Sequence, residues 1–377
     1  MDLILRESKP SDETQLHQML DTYPMNTAGM KIIYDRRPQF TELLRYQADS
    51  FKTLVAEMGE NIIGFVSFSW GKRLLKGVPI HAVYIGDFRI KLHRKASVRW
   101  RNFYPELIKS FMTDQQYGPA RLIHTAILKE NVAALHSLVK KKKNQAFYYH
   151  FLKQLTMVNV VAQIPTFLLR KTNLLSKGLV PSEKILESEL RSFLVEANEK
   201  LYLGYDFSYA PGNEWDRRKR RWPDYSHENF LLIKDQGKII ASCLPWSPTH
   251  GKRLLVTKLN FSMKLLCGML NFWGTKVPLA HQPIDILYLT HLHFDSRLNR
   301  QSRAECIATF LEALHSNGMR ANYHMVSFAD GDELRKERAL KKFVTQETEV
   351  EIYAVSTNSE PEVIEGSADM NFEMALV

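Results

Sequence analysis

The sequence predicts an α+β fold in which one order of structural elements is stated twice. In each half an apolar hairpin is followed by a strand, an amphipathic helix and a further strand. The composition is that of a globular protein, since 45% of the residues are hydrophobic and 24% are charged. A chain of 377 residues is also too long for one ordinary core. We therefore expect two tandem domains, each a mixed, mostly antiparallel twisted sheet flanked by helices.

The elements of the first half follow from the periodicity of its apolar residues. LILRES predicts a strand, and Ser11 can cap the helical pattern that follows it. Apolar alternation on both sides of residues 59–61 predicts an antiparallel hairpin, and HAVYIGDFRI predicts the next strand. An amphipathic helix, the strand ARLIHTAIL, a helix that opens at Asn131 and the β-rich segment FYYHFLKQLTMVNVVAQ follow. The apolar face of the amphipathic helix consists of Trp100, Phe103, Leu107, Ile108 and Phe111.

The second half repeats this order. NFLLIKDQGKIIASCL predicts a hairpin that turns at residues 236–237, and IDILYLTHLHF predicts a strand. The strand ANYHMVSF, a helix in DGDELRKERALKKF and the strand TEVEIYAV complete the half. The helix that precedes them has one apolar face, formed by Ile307, Phe310, Leu311 and Leu314.

The second half also contains an insert. Gly64 and Arg94 are 30 positions apart, whereas the corresponding Ala241 and Arg297 are 56 apart. The difference indicates an apolar, aromatic insert near residues 254–283. It is too short to cross a membrane, and we expect a packing helix or a lid over an acceptor pocket.

These patterns divide the chain into a first domain over residues 1–165, a second over residues 166–357 and a tail over residues 358–377. The tail contains five acids and no base, which predicts disorder. Its sign is opposite to that of the whole chain. No apolar run approaches the ~20 residues that span a bilayer. The stretch MDLILRESKP has no basic leader or apolar core, so we expect no secretory signal. Three widely spaced cysteines are typical of reduced thiols in a cytoplasmic protein.

The net charge of +10 permits an anionic partner. Two basic runs contribute most visibly, KKKK at residues 140–143 and RRKRR at residues 217–221. Each is most simply a solvated loop. The alternative is a nucleic-acid site in which RRKRR contacts phosphates and is flanked by Trp215 and Trp222. No recognised nucleic-acid fold accompanies the run, so we do not expect a nucleic-acid partner.

Three segments of the first half, in this order and spacing, resemble the GNAT superfamily of acyl-coenzyme A-dependent N-acyltransferases. GENIIGFVSF is similar to the family's hairpin, and YIGDFRIKLHRKASVRWRNFYPELI resembles its motif A. AILKENVAALHSLV resembles its motif B. The resemblance covers residues 1 to about 160 by motif and about 190 to 357 by element order. It implies transfer of an acyl group, most simply acetyl, from acetyl-CoA or another acyl-CoA to an unidentified amine.

The resemblance also implies where the cofactor binds. Motif A places the coenzyme A pyrophosphate at a helix N-terminus, whose unpaired N–H groups and partial positive charge attract phosphate. Ser97 and Arg99 occupy the family's glycine positions here, and in the second half the loop would start at Arg297 or Arg300. We expect the first half to hold the cofactor, because motif B is retained there, and the second half with its insert to shape the acceptor site. The implied contacts are Ile90, Arg94, Lys95, Ala96, Ser97, Val98, Arg99 and Asn131.

Aminolysis of a thioester needs a neutral amine, donors for the developing oxyanion and a proton for the thiolate. The resemblance implies that Asp87 accepts the amine proton, although it is as readily a structural carboxylate paired with a strand neighbour. Leu138 stands where the family has a tyrosine donor, and His136 is the nearby substitute. His291 aligns with Asp87, so it is either a base at neutral pH or a residue that lines the cleft.

Two alternatives accompany this interpretation. The stretch LYLTHLHFDS resembles the metal-binding turn of metallo-β-lactamase-type hydrolases, but Ser296 stands where their next histidine would be. Two histidines at i and i+2 on a strand share a face, and His315 or His324 would have to complete the site. We prefer histidines that line a cleft over zinc. The other alternative is a non-catalytic scaffold or acyl-CoA-binding protein, which the substituted motif positions favour.

Overall fold

The computed structural model describes residues 3–22, 24–27, 30–91, 94–114, 116, 118–140, 146–164, 179–180, 184–272, 276, 280–316, 322–358 and 369–377. The first half contains β1 (Leu3–Glu7), α1 (Glu13–Thr22), β2 (Met25–Thr27), β3 (Met30–Asp35), α2 (Glu42–Gln47), β4 (Ser50–Met58), β5 (Asn61–Leu75), β6 (Val78–Ile90), α3 (Arg94–Thr113), β7 (Leu122–Leu128), α4 (Val132–Ala134) and β8 (Tyr148–Gln163). The second half contains α5 (Glu187–Glu199), β9 (Tyr202–Gly204), α6 (Glu214–Arg221), β10 (Leu231–Asp235), β11 (Lys238–Trp246), β12 (Arg253–Leu259), α7 (Phe261–Phe272), β13 (Pro283–Ile284), β14 (Ile286–Phe294), α8 (Arg300–Ser316), β15 (Met325–Asp330) and β16 (Phe343–Ser356).

Twelve strands of the described residues form one sheet. Its order is β1-β4-β5-β6-β7-β16-β8-β15-β14-β11-β10, and β9 pairs with β5 outside this path. Only β6–β7 and β14–β15 are parallel, which confirms the predicted mixed, mostly antiparallel sheet. The two predicted hairpins are β4–β5, which turns at residues 59–60, and β10–β11, which turns at residues 236–237.

The two halves exchange their last strands. β16 of the second half lies between β7 and β8 of the first, antiparallel to both. β8 in turn pairs with β15 of the second half. The β8–β16 ladder runs from Phe343 opposite Gln163 to Ser356 opposite Tyr148. The boundary at 165/166 stays a prediction, and strands from both sides of it belong to one sheet.

Both predicted amphipathic helices pack through their predicted faces. On α3, Leu107, Ile108 and Phe111 are buried with residues of β5 and β6. The same positions of α8 are buried against β14 and β15, as expected from the repeat; they are Ile307, Phe310, Leu311 and Leu314. Residues 62–70 of β5 and 239–246 of β11 are buried without interruption, since helices or other layers cover both faces of the hairpins there.

Two predicted elements differ in the structure. The predicted helix in DGDELRKERALKKF consists of two short 3-10 turns, Leu334–Lys336 and Arg338–Leu340. Glu333 before them has a φ of 59°, and Glu337 between them has an extended backbone with ψ of 149°, so the two turns cannot join into one helix. The segment from Arg94 to Arg99, expected to be a loop, is already the first part of α3.

The insert near residues 254–283 contributes β12, α7 and β13. β12 pairs with β3 of the first half, and together with β2 and β13 they form a small sheet in the order β13-β12-β3-β2. Cys267 and Met263 of α7 pack in the core, as the packing-helix interpretation of the insert predicts. No described residue of α7 lines the largest cavity, which lies beside β14, so the lid interpretation stays a prediction.

The prediction of a disordered tail is wrong for its last nine residues. Met370 bridges to Tyr202 of β9, and Met374, Ala375 and Leu376 are buried in the core. Composition gave the wrong prediction because the apolar residues at the end of the tail are buried in the core, although the segment before them is acidic. Residues 359–368, which carry most of the acids, lie outside the described residues.

The basic run at residues 217–221 is not a solvated loop. It forms most of α6, and its first two arginines, Arg217 and Arg218, are buried. Trp215 and Trp222 are also buried, so neither is exposed to stack on a base in the nucleic-acid alternative. In the other basic run, Lys141, Lys142 and Lys143 lie outside the described residues. No helix in the described parts of the chain is long and apolar enough to cross a membrane.

Candidate active site

A cavity of about 680 Å³ opens beside β14, among residues of β8, β15, α5, α8 and the tail. Its wall includes residues 291–294 of β14, Leu155 of β8, Phe193 of α5 and residues 369–373 of the tail. Cavities of this size accommodate small molecules and cofactors. The cavity therefore has the volume for a ligand, and its position is set by the strands that surround it.

The cavity exists because two parallel strands separate. β14 and β15 are paired from Ile286 to Tyr288 and from Met325 to Ser327. Beyond this point both strands continue without pairing to each other, β14 to Phe294 and β15 to Asp330. The separated ends expose backbone groups toward the opening, and a ligand inserted there can bind them without competing with the ladder.

A β-bulge lies where β14 enters the cavity wall. Thr290 pairs with Leu244 and His293 pairs with Ser242, so His291 and Leu292 together stand opposite Cys243. His291 has a φ of 50°, a left-handed conformation that is uncommon outside glycine. A bulge of this kind turns a backbone N–H out of the ladder and re-aims it.

The first half contains the same bulge. Phe65 pairs with Arg89 and Ser67 pairs with Gly86, so Asp87 and the residue after it stand opposite one residue of β5. The φ of Asp87 is 58°. The structure thus places Asp87 and His291 at the same position of the two repeats, as their alignment in the sequence indicates.

The N-terminus of α8 lies at the rim of the cavity. The Asn299 side chain caps the helix by accepting from the Ser302 N–H at 2.9 Å. Ser296, Arg297 and Arg303 beside it line the cavity. A helix N-terminus carries partial positive charge and free N–H groups, which suits an anionic group such as a phosphate.

Five cations line the cavity, and four of them are paired with carboxylates in the described parts of the chain. Arg297 pairs with Asp295 at 2.5 Å, and Arg303 pairs with Asp332 at 3.1 Å. The cavity cations are Lys153, Lys200, Lys238, Arg297 and Arg303. The side chains of Asp295 and Asp332 are 18% and 33% exposed, so an anionic ligand can compete with them for the two arginines.

Behind the bulge, a fully buried guanidinium holds the His291 ring. Arg218 Nη1 lies 2.6 Å from His291 Nε2, and the Thr290 hydroxyl lies 3.0 Å from Nδ1. Burial, and then the charge of Arg218, lower the pKa of His291 well below its ordinary value. The ring is therefore neutral and its acceptor nitrogen is already occupied. The structure places His291 in the cleft wall, and a role of its ring as a base stays a prediction.

Two carboxylates neutralise Arg218. Glu214 Oε1 lies 2.7 Å from Arg218 Nε, and Glu373 Oε1 lies 3.2 Å from Nη1. Burial raises the pKa of Glu214, but Arg217 and Arg218 outweigh burial and lower it to about 2. Glu214 and Arg218 are thus both charged in the folded protein at neutral pH.

Glu373 connects this buried network with the cavity. It lines the large cavity and also a small one of about 40 Å³ in the first half. Its Oε1 lies 3.5 Å from the bulge nitrogen of His291. A carboxylate beside a bulge N–H is placed to interact with a group that binds there.

Solved structures with the same architecture decide the fold. Saccharomyces cerevisiae N-myristoyltransferase with bound myristoyl-CoA superimposes with a TM-score of 0.53 at 10% identity, over 94% of this chain and 78% of that one. The same enzyme with bound myristoyl-CoA and inhibitors gives 0.51 at 11% identity, over 100% and 83% of the two chains. The chain has a tandem GNAT fold. No protein-family model and no curated protein sequence matches it.

Within the tandem GNAT fold, the residues predicted for catalysis lie apart. Asp87 forms an ion pair of 2.6 Å with Arg36, which is 2% exposed, so its partner is a residue outside its own strand rather than Arg89. His136 lies exposed on the short π-helical turn after α4 and is not among the described residues that line either cavity. His291 and Asp87 are equivalent by fold, yet a buried arginine holds each side chain.

The predicted cofactor residues belong to the first half. Ile90 ends β6 and packs in the core, and Asn131 caps α4 by accepting from the Ala134 N–H at 3.1 Å. Val98 and Arg99 are exposed on α3. Arg94, Lys95, Ala96 and Ser97 are in the first turn of α3, but their side chains lie outside the described residues. The first-half site stays a prediction, whereas the large described cavity is in the second half.

Sequence reasoning missed Lys153 and Glu373, which line the cavity, and Arg218, which lies behind it and contacts Glu373. Arg218 was part of a basic run, and Glu373 was part of an acidic tail that predicted disorder. Lys153 belongs to β8, which reaches the second half only through the strand exchange. No local pattern distinguishes these residues, because their positions depend on contacts distant in sequence. The described residues also contain no group of three histidine, cysteine or acidic side chains that could hold a metal ion.

Proposed function

We propose that this protein transfers an acyl group from an acyl-CoA to an amine and that the second-half cavity holds the acyl-CoA. The observation that carries the proposal is the meeting of three features at one cavity: separated parallel strands, a bulge at His291 and the capped N-terminus of α8. Support also comes from the fold, since the N-myristoyltransferase of the same architecture was solved with bound myristoyl-CoA.

Each feature has a part in the proposed binding mode. The pyrophosphate lies against the first turn of α8, where Arg297 and Arg303 compensate its charge. The pantetheine arm runs between the separated strands and bonds their free backbone groups. The thioester carbonyl oxygen replaces Glu373 Oε1 as the acceptor of the long bulge N–H bond of His291, and this N–H then stabilises the oxyanion that develops on aminolysis.

Glu373 is the group we propose to accept the proton of the attacking amine. Its carboxylate is the one that approaches the bulge nitrogen, at 3.5 Å. It is 8% exposed and is held by Arg218 at 3.2 Å, so its position is fixed before substrate binds. The amine nitrogen attacks the thioester carbon, and its proton passes to Glu373. The C–S bond then breaks, and coenzyme A leaves as a thiolate that takes up this proton.

Acetyl is the simplest acyl group for this reaction, and a longer chain is the alternative. Leu155, Phe193, Leu289 and Leu292 give the cavity wall apolar surface that an acyl chain can contact. The acceptor amine and the cytoplasmic location stay predictions.

The test measures binding and turnover with acetyl-, octanoyl- and myristoyl-CoA. Thermal unfolding at a ligand concentration 100 times the Kd should show a gain in the free energy of unfolding of about 2.7 kcal/mol. Release of free coenzyme A thiol with a panel of amines then reports turnover. Binding without any turnover would support the non-catalytic acyl-CoA-binding alternative, and no binding at millimolar ligand would contradict the proposal.

Two variants decide which half binds the cofactor. Ala197→Phe introduces a ring at a half-buried position of the cavity wall and should weaken acyl-CoA binding at least 10-fold. Arg99→Ala removes the exposed cation predicted for the first half and should leave binding within 2-fold. If Arg99→Ala weakened acyl-CoA binding and Ala197→Phe did not, the cofactor site would be in the first half.

A further inference from the structure

The helix of the insert exposes a continuous apolar stripe. Phe261, Leu265, Met269 and Phe272 of α7 are 82%, 59%, 51% and 88% exposed. At 100° per residue these four positions fall within about 80° of one another, so they form one narrow face. Contiguous exposed apolar surface of this kind marks an interaction site rather than ordinary surface.

The opposite side of α7 fixes the helix to the protein. Cys267 is 8% exposed and belongs to the core that contains Val256 and Leu259 of β12, and Met263 packs against the same core. α7 is therefore anchored by one face, and the stripe points away from the domain because of that anchoring. The stripe does not result from a detached helix.

The chain around the stripe is basic. No aspartate or glutamate occurs between Asp235 and Asp285. The cations of this span are Lys238, Lys252, Arg253, Lys258, Lys264 and Lys276. Lys264 lies on α7 next to the stripe, and it is exposed.

Two further lysines face each other beside the start of α7. Lys258 of β12 stands in register with Lys31 of β3, and both are exposed. Like charges directly opposite on neighbouring strands destabilise a sheet. Within the described ranges neither lysine forms an ion pair with a carboxylate. An external anion would compensate this repulsion, so the surface is complementary to negative charge.

We propose that α7 docks this protein on an anionic lipid surface, with Phe261, Leu265, Met269 and Phe272 inserted between the headgroups and with Lys31, Lys258 and Lys264 against lipid phosphates. A helix of 12 residues is about 18 Å long, which suits a position in the plane of the interface and excludes a span. Each lysine near such a surface adds an attraction that falls with salt.

A lipid surface accounts for the observations better than a second copy of the chain. A two-fold interface would place the same patch on both sides. Lys31, Lys258 and Lys264 of one copy would then face the same lysines of the other, and no acid of this span could compensate them. A bilayer with anionic headgroups supplies both the apolar layer and the opposite charge.

The test measures co-sedimentation of the full chain with vesicles of phosphatidylcholine alone and with 30% phosphatidylserine. The wild type should bind the anionic vesicles, and 0.5 M salt should release most of it. Phe261→Gln, Leu265→Gln and Met269→Gln together should lower the partition coefficient at least 10-fold. Lys258→Glu with Lys264→Glu should lower it at least 10-fold on anionic vesicles.

Matched controls are Phe151→Gln, at a position 58% exposed on β8, and Lys341→Glu, at an exposed position near β16. Both should bind as the wild type does, and circular dichroism should show the same fold for all variants. Absence of vesicle binding would overturn the proposal, as would equal binding to neutral and anionic vesicles. Light scattering that shows a dimeric wild type and monomeric stripe variants would assign this face to a second copy of the chain, and it would overturn the proposal too.

Discussion

Arg218 and Arg220 are two positions apart on α6 and have opposite environments. Arg218 is completely buried between Glu214 and Glu373, whereas the Arg220 side chain is 58% exposed and 3.5 Å from Asp49. Burial lowers the pKa of Arg218, but the two carboxylates outweigh burial and hold it above its ordinary value. Arginine therefore stabilises a buried network at position 218 and is a solvated surface residue at position 220.

Replacing these two arginines should separate the roles. Arg218→Gln leaves Glu214 and Glu373 as buried charges with fewer partners, and the free energy of unfolding should fall by about 3–5 kcal/mol. Arg220→Gln removes an exposed pair and should cost about 0.5 kcal/mol or less. Urea unfolding of both variants measures the difference. Equal effects would mean that the buried network contributes nothing specific to stability.

Glu373 permits a sharper test of the proposed chemistry. Glu373→Gln keeps the size of the side chain and an oxygen that can accept from Arg218, but it cannot take a proton from an amine. Turnover should fall about 100-fold or more, with acyl-CoA affinity within 2-fold of the wild type. Glu228→Gln, an exposed carboxylate outside both cavities, is the control and should keep full turnover.

Glu373→Asp distinguishes chemistry from folding. The shorter acid should recover part of the turnover that the glutamine variant loses, although both change the contact with Arg218. Calorimetry on the three proteins checks that all are folded. Full turnover in Glu373→Gln would remove this residue from the mechanism and leave the binding proposal intact.

Some of these residues could be found from the sequence and others could not. Alignment of the repeats places His291 opposite Asp87, and the structure shows the same bulge at both. Glu373 could not be found, because it is 82 positions from His291 and stands in an acidic segment with no periodicity. Local pattern describes strands and helices, whereas contacts between distant segments depend on the complete fold.

Among the elements, periodicity predicted those with long apolar faces. The hairpins β4–β5 and β10–β11 and the buried faces of α3 and α8 are confirmed. The short β9 was not predicted, since its three residues carry no periodicity. It nevertheless joins the tail to the main sheet, because Tyr202 pairs with β5 on one side and with Met370 on the other.

Gly204 is the position at which β9 tolerates least change. A Cβ there would lie 2.3 Å from the Asn198 carbonyl oxygen, a backbone atom that cannot move without shifting α5. Gly204→Ala should lower the free energy of unfolding by about 3 kcal/mol. Gly268→Ala in α7 is the control, since beyond its chain neighbours and the backbone of its own helix no atom lies within 4 Å of the added Cβ, and it should be neutral or stabilising. Thermal unfolding of both variants provides the measurement.

For the whole molecule, the exchanged strands determine how the repeats depend on each other. β16 is paired along its whole length with β8 and over residues 350–354 with β7, so its neighbours on both sides belong to the first half. A sequence repeat suggests two separable domains, and no residue pattern shows that their final strands cross over. The exchange is possible because β7, β16, β8 and β15 are neighbours in the sheet, so a strand of one half can pair with a strand of the other.

The exchange predicts that the halves unfold together. In residues 1–165 alone, β8 would lose its ladder with β16 on one side and with β15 on the other, so about 16 residues would have unpaired backbone groups. Urea unfolding of the full chain should therefore show one transition that coincides by tryptophan fluorescence and far-ultraviolet circular dichroism. Separately expressed halves should be insoluble or unfolded, and co-expression should recover soluble protein because each supplies the strand that the other lacks. Two resolved transitions, or a first half that folds alone with a cooperative unfolding curve, would show that the shared sheet does not couple the repeats.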